Sequence, residues 1–245
     1  MKTIAIIPAR FASKRLPGKM LLAESGKSLI QHTFERVKMA LCFDKIIVAT
    51  DDVRIFNAVK DFGGNAEMTD VNHKSGTGRI AEVVKKRNDY EIVVNVQGDE
   101  PEIEPAFLQQ LVEIMQENPR IELATLACPI SAENAEKPAA VKVVCTQDDF
   151  ALYFSRAKIP FNRDSSEDAE YLLHVGVYAY RRETLLRLSQ LPQTPLEHAE
   201  KLEQLRALEN NIRIKVIKIL HSTKGIDTRE DYEAFVKRWE DLQQL

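Results

Sequence analysis

Arg10, Lys14, Arg15 and Lys19 place four cations within ten residues, on a stretch punctuated by Pro8, Pro17 and Gly18. Such a loop can offer cationic side chains and backbone N–H groups to several phosphates at once. It is not a P-loop, because the GxxxxGK-Ser/Thr pattern is missing. A solvated basic turn would have the same composition. A second candidate is Asp99, in Asn95-Val96-Gln97-Gly98-Asp99-Glu100-Pro101. Asp is a short, hard ligand of the kind Mg²⁺ takes together with substrate phosphates, although a turn-forming Asp reads the same way. A third is Gly225-Ile226-Asp227-Thr228-Arg229-Glu230-Asp231. Here Thr228 suits a helix N-cap, with Asp231 three residues on. Asp227 is not needed for that cap and is available as a partner carboxylate to Asp99.

The elements that must position these residues follow from apolar spacing. Thr3–Ile7 is a continuous apolar run ahead of Pro8, as in a strand covered on both faces. Lys45–Ala49, Ala66–Met68 and Glu91–Val96 predict further strands. Leu29 to Leu41, Ile55 to Phe62, Ile80–Lys86 and Leu108 to Met115 predict helices between them. This alternation means βαβ units and a mostly parallel sheet. The basic loop and Asp99 then both follow strands, at the carboxyl edge where such sheets bind ligands. After about residue 120 the rhythm changes. Leu123–Ala127, Val141–Cys145, Ala151–Phe154 and Leu173–Tyr178 read as strands with few helices between them, an antiparallel extension. Arg163 to Tyr171, including Asp168, reads as a polar loop. One long amphipathic helix is expected through Leu196, Ala199, Leu202, Leu205 and Leu208, then a strand Lys215–Leu220 and a closing helix Asp231–Leu242.

Composition narrows the function. Thirty-four Lys plus Arg against 37 Asp plus Glu gives a net charge of −3 in 245 residues, which argues against a nucleic-acid binder or a polybasic membrane-surface protein. The opening apolar run is too short for a signal-peptide core. Cys42, Cys128 and Cys145 are odd in number and widely spaced, which fits small core residues in a reducing cytoplasm. No linker is long enough to force independent domains, so residues 1–245 are expected to form a single domain.

The segments 6–19 (IIPARFASKRLPGK), 46–52 (IIVATDD), 73–79 (HKSGTGR), 94–101 (VNVQGDEP), 140–144 (AVKVV), 151–161 (ALYFSRAKIPF), 174–181 (HVGVYAYR), 195–206 (PLEHAEKLEQLR) and 225–231 (GIDTRED) together resemble the 3-deoxy-manno-octulosonate cytidylyltransferases, or CMP-Kdo synthetases. The resemblance runs in family order along nearly the whole chain. It implies a Rossmann-like nucleotide-diphospho-sugar transferase fold, an α/β structure with a mostly parallel central sheet and a β-rich portion at roughly 121–195 for dimerisation and sugar binding. The implied reaction takes CTP and 3-deoxy-D-manno-octulosonate (Kdo) to CMP-Kdo and pyrophosphate for lipopolysaccharide biosynthesis, in the cytoplasm, with Mg²⁺ and as a homodimer.

By the same resemblance Arg10, Lys19, Asp99 and Asp227 carry the chemistry, Asp99 and Asp227 holding the metal. The nucleotide falls to Pro8, Ala9, Arg10, Arg15, Lys19, the Ser75-Gly76-Thr77 turn and Arg79. The sugar falls to Gln97, Arg156, His174, Tyr178, Glu203 and Gln204. Spacing alone would leave Glu203 and Gln204 on a solvated helix face and His174 as a satisfied strand histidine. Glu197, Glu200 and Lys201 are expected at the surface. Two positions depart from the family pattern: Gly78 stands where an acidic residue is usual, and Lys14 where a small hydroxyl residue is common. An enzyme acting on an 8-amino Kdo analogue or on sialic acid is the alternative, and a non-catalytic sugar-nucleotide sensor lies further off.

Overall fold

The computed structural model describes residues 1–13, 15–73, 75–164 and 169–243, so Lys14 and Asp168 lie outside the described residues. The elements run β1 (Thr3–Ala9), α1 (Leu29–Lys38), β2 (Lys45–Thr50), α2 (Val53–Asp61), β3 (Ala66–Met68), α3 (Gly76–Lys85), β4 (Ile92–Asn95) and α4 (Pro105–Glu117). They continue with β5 (Leu123–Ile130), α5 (Ala132–Ala135), β6 (Lys142–Cys145), β7 (Ala151–Ser155) and β8 (Tyr171–Arg181). The last are α6 (Arg182–Gln190), α7 (Pro195–Glu200), α8 (Leu205–Glu209), β9 (Ile214–Lys218) and α9 (Arg229–Gln243). The chain divides into two compact units, Met1–Gln109 with Thr223–Leu245, and Gln110–Ser222.

In the first unit the strands lie in the order β3-β2-β1-β4, all parallel. All seven residues of β1 are buried, because helices must cover both faces of a parallel sheet. The register pairs Ala9 with Thr50 and Ile6 with Asn95, so the three strands end at one edge. The chain leaves β1 toward β2 on one side and returns to β4 on the other. That reversal opens a crevice at the carboxyl ends of β1 and β4. A smaller cluster of Leu29, Ile226, Tyr232 and Phe235 packs α9 and the segment before it against α1.

In the second unit β5 is central, antiparallel to β8 and parallel to β9, while β6 pairs antiparallel with β7 and β8. The four strands expected to form the antiparallel extension, β5 to β8, thus pair antiparallel throughout, and β9 joins them in parallel. The long helix expected through Leu196–Leu208 is in fact two. Lys201 adopts a left-handed conformation (φ 55°, ψ 44°) that ends α7, and α8 restarts at Leu205. The apolar spacing is continuous across the break, so periodicity could not reveal it. Helix α3 also begins four residues before Ile80, so Ser75-Gly76-Thr77 is a helix start and not a free turn. Ser75 caps it by accepting the Gly78 N–H, which offsets the poor helix propensity of two glycines.

Candidate active site

The loop after β1 closes on itself before it reaches Lys19. Phe11 O accepts the N–H groups of Ser13 and Gly18, at 2.9 and 3.0 Å. Gly18 has φ +70°, a left-handed conformation that side chains disfavour, and Lys19 then starts a short 3-10 turn, Lys19–Leu21. On the other strand, the exit from β4 passes close beside β1. A Cβ on Gly98 would stand 3.1 Å from Pro8 O and 3.0 Å from Met20 Sδ, so only glycine fits without displacing its neighbours. Pro8, Arg10, Ala12, Ser13, Lys19, Met20, Gly76, Gln97, Gly98 and Asp99 line a cleft of about 240 Å³ here.

Lys19 is the hub of this crevice. Its side chain is only 6% exposed. Its Nζ donates to Asp99 Oδ2 (2.6 Å), Ile226 O (2.6 Å) and Asp227 Oδ1 (3.3 Å). A buried ammonium needs such partners, since an isolated charge would be expensive to desolvate. Residues 99 and 227 thus share one ammonium, although 128 positions separate them in the chain. Ile226, fully buried, fixes that approach by donating its own N–H to Asp99 O at 2.8 Å. On the far side of Asp227 a capping box holds α9, with Asp231 N–H on Thr228 Oγ1 and Thr228 N–H on Asp231 Oδ2. Burial alone would raise the Asp231 carboxyl, but Lys224 and the N–H groups of Thr228 and Asp227 pull it down to about 2. Arg15 pairs with Asp227 Oδ2 at 2.8 Å in a more exposed setting. Arg10 has neither an ion-pair nor a hydrogen-bond partner among the described residues, so its guanidinium is available to a ligand anion.

Glu100 was not singled out by its sequence. Burial first, then the charges of Asp99 and Asp227, push its carboxyl up to about 8, so it is mostly protonated at neutral pH and adds little negative charge. Among the described residues no group of three or more His, Cys, Asp or Glu could hold a metal by itself. The donor set is two hard carboxylates gathered around a single cation, and that fits Mg²⁺ completed by substrate oxygens.

The other nucleotide candidates behave differently from one another. Gly76, at the start of α3, faces the Pro8 ring, and Thr77 is buried beside it. Arg79 is completely buried, donating to Thr69 Oγ1 and Asp51 Oδ2, each at 2.5 Å. Its guanidinium thus ties α3 to the ends of β2 and β3. Its Nε is buried without a hydrogen-bond partner among the described residues.

In the second unit Arg156 donates through Nε to Glu200 O and through a terminal nitrogen to Pro138 O. Glu200 accepts from Ser155 Oγ and from Arg156 N–H. Glu197 is buried and binds Arg206 through both carboxylate oxygens, at 2.5 and 2.8 Å. Both glutamates are internal supports, contrary to the surface role expected for them. Lys142 is fully buried and donates to Ala140 O and Arg156 O. A lysine amid the apolar Ala140–Val144 run was the available signal. His174 Nε2 meets Thr125 Oγ1 at 3.1 Å, and its ring lies edge-on to Phe154 and tilted to Tyr178. Burial lowers its pKa to about 3, so it acts as a neutral hydrogen-bonding group. Tyr178 is held protonated by burial. Glu203 and Gln204 occupy the turn between α7 and α8 and not a helix face; Gln204 is buried, and Glu203 lies 3.7 Å from Arg206.

A family model for cytidylyltransferases matches residues 4–215. A 3-deoxy-manno-octulosonate cytidylyltransferase of Geobacter sulfurreducens is 47% identical, over 97% of this chain and 99% of its own. The chain belongs to the 3-deoxy-manno-octulosonate cytidylyltransferases. Another member, from Fusobacterium nucleatum, is 45% identical over 96% of each chain. The structure of a CMP:2-keto-3-deoxy-manno-octonic acid synthetase complexed with CTP is 44% identical and covers all of both chains with a TM-score of 0.95. The cytidylyltransferase fold is thus the one observed here, and the family is one of nucleotidyltransferases.

Proposed function

We propose that the protein transfers CMP from CTP to the anomeric hydroxyl of Kdo, releasing pyrophosphate. The observation that carries this reading is the sharing of Lys19 by Asp99 and Asp227, at the crevice of a chain that matches a CTP-bound synthetase over its full length. Phosphoryl transfer asks little covalent chemistry of a protein, so positioning and charge neutralisation dominate. Arg10 and Arg15 bind the triphosphate and stabilise the departing pyrophosphate. Lys19 holds the two carboxylates in place and supplies positive charge beside them. Asp99 and Asp227 are the residues that would hold Mg²⁺, which when bound neutralises phosphate charge and acidifies a coordinated hydroxyl. The Pro8–Ala9 main chain and the Ser75–Thr77 helix start receive the nucleoside. Gln97, Arg156, His174, Tyr178, Glu203 and Gln204 take the sugar, with Arg156 the cation for its carboxylate.

A homodimer joined through the second unit is part of the same reading, supported by Leu152 on β7, an apolar side chain 60% exposed. Action in the cytoplasm agrees with three cysteines of which none is in a disulfide. Among the described residues no helix is long and apolar enough to cross a membrane.

Pyrophosphate release with CTP, UTP, ATP or TTP, each paired with Kdo, its 8-amino analogue or sialic acid, tests base, sugar and catalysis together. CTP with Kdo should be the fastest pair; a faster turnover with the amino analogue or with sialic acid would overturn the sugar assignment.

A further inference from the structure

We propose that Arg54 positions the phosphate-binding loop by clamping Phe11, an inference that rests on the roles just given to Arg10, Arg15 and Lys19. Arg54 lies in the first turn of α2, away from the reacting groups. Asp52, the N-cap of that helix, accepts three hydrogen bonds from it: backbone N–H to Oδ1 (2.8 Å), Nε to Oδ1 (2.9 Å) and a terminal nitrogen to Oδ2 (2.7 Å). Engaging both carboxylate oxygens fixes the guanidinium plane. That guanidinium stands over Phe11, with Cζ 3.4 Å from the ring centroid, a cation–π contact.

Phe11 is the residue on which the loop closes. Its carbonyl receives the N–H groups of Ser13 and Gly18. Its ring lies against Gly18, where a Cβ would come within 3.2 Å of Phe11 Cζ. One side chain thus pins the turn whose two ends deliver Arg10 and Lys19. A lysine could supply the charge but not the planar fork that locks onto Asp52. The Arg54 side chain is 57% exposed, so the clamp is a surface device and its loss should loosen the loop without unfolding the protein.

The test compares Arg54→Ala, Arg54→Lys, Phe11→Leu and the Arg54→Ala/Phe11→Leu double variant with the unmodified enzyme. Steady-state kinetics are read with CTP and Kdo varied in turn. Trypsin cleavage after Arg10, Arg15 and Lys19 is mapped by mass spectrometry. Arg54→Ala should raise the KM for CTP about two- to fivefold, leave the KM for Kdo unchanged, and speed cleavage of the loop. Arg54→Lys should fall between the two, and the double variant should be no worse than the worse single one. Unchanged CTP KM and cleavage in Arg54→Ala, or additive effects in the double variant, would overturn the clamp. If the unmodified protein did not use CTP at all, the functional reading would fail instead, and the cleavage rates would still decide the clamp.

Discussion

In the first unit the candidates for the reacting groups, Arg10, Lys19, Asp99 and Asp227, are charges held in the open or against one another. Arg10 has no partner among the described residues, and Lys19 sits between two carboxylates. In the second unit the candidates are mostly neutral or already satisfied. His174 and Tyr178 are held uncharged by burial, and Arg156 donates to two backbone carbonyls. The difference matches the ligands proposed for each. A triphosphate is met by positive charge placed for it, whereas a polyhydroxylated sugar is recognised by neutral groups whose hydrogen-bonding roles are fixed beforehand.

Variants can break that comparison, starting with the largest effect. Lys19→Met leaves two carboxylates in the crevice without their shared cation. Its kcat should fall about 10²- to 10³-fold, as measured by pyrophosphate release, with circular dichroism confirming the fold. A fall of less than tenfold would mean that Lys19 is only a structural counter-ion. Arg156→Ala should raise the KM for Kdo about ten- to hundredfold while sparing the KM for CTP, since a charge-assisted hydrogen bond is lost. Equal effects on both constants would erase the distinction between the units.

Acid should strain both units alike. His32 in the first is lowered to about 4, chiefly by burial, and His174 in the second to about 3, against an ordinary value of 6.5. Both histidines are neutral in the folded chain, whereas the unfolded chain takes up protons below 6.5. Their contribution is therefore complete above that value and is lost as the pH falls from 6.5 toward 4 for His32 and toward 3 for His174. By about pH 5 each weighs up to about 2 kcal/mol, less for the partly exposed His174. Urea midpoints should decline over this range, and His174→Gln should blunt the decline; a flat profile would show that the histidines are not held neutral.

The smallest effect concerns Gly78. A glutamate there would complete a capping box with Ser75 and place a negative charge in the first turn of α3, adding about 0.3–1 kcal/mol. Its Cβ would lie 3.1 Å from His73 Nδ1, so His73, hydrogen-bonded to Glu82, must give slightly. Gly78→Glu should raise Tm by about 1–4 °C and tighten CTP binding. No change in either would leave the departure from the family pattern without consequence.

Where local chemistry and tertiary placement coincide, the sequence was legible. β3 follows its predicted limits, because Gly63-Gly64-Asn65 ahead of it and Thr69-Asp70 behind it leave little choice. The Thr228–Asp231 cap was visible because its two residues stand three apart, the spacing a capping box needs. The support of Arg156 was not visible. It depends on Lys142 and Glu200, which meet through the fold and not through spacing. The same holds for Arg79, whose partner Asp51 is 28 residues away, and for Glu100, whose raised pKa comes from burial and from Asp227 as well as from its neighbour. The break at Lys201 was hidden for a different reason: no glycine or proline marks the left-handed residue.

The most direct test of the central claim is the initial rate of pyrophosphate release from CTP and Kdo in the unmodified enzyme, Asp99→Asn and Asp227→Asn, across a magnesium titration beginning in EDTA. The account predicts no turnover in EDTA, recovery with Mg²⁺ in the unmodified enzyme, and rates at least about a hundredfold lower in both variants. Full turnover in either variant, or undiminished activity in EDTA, would contradict it.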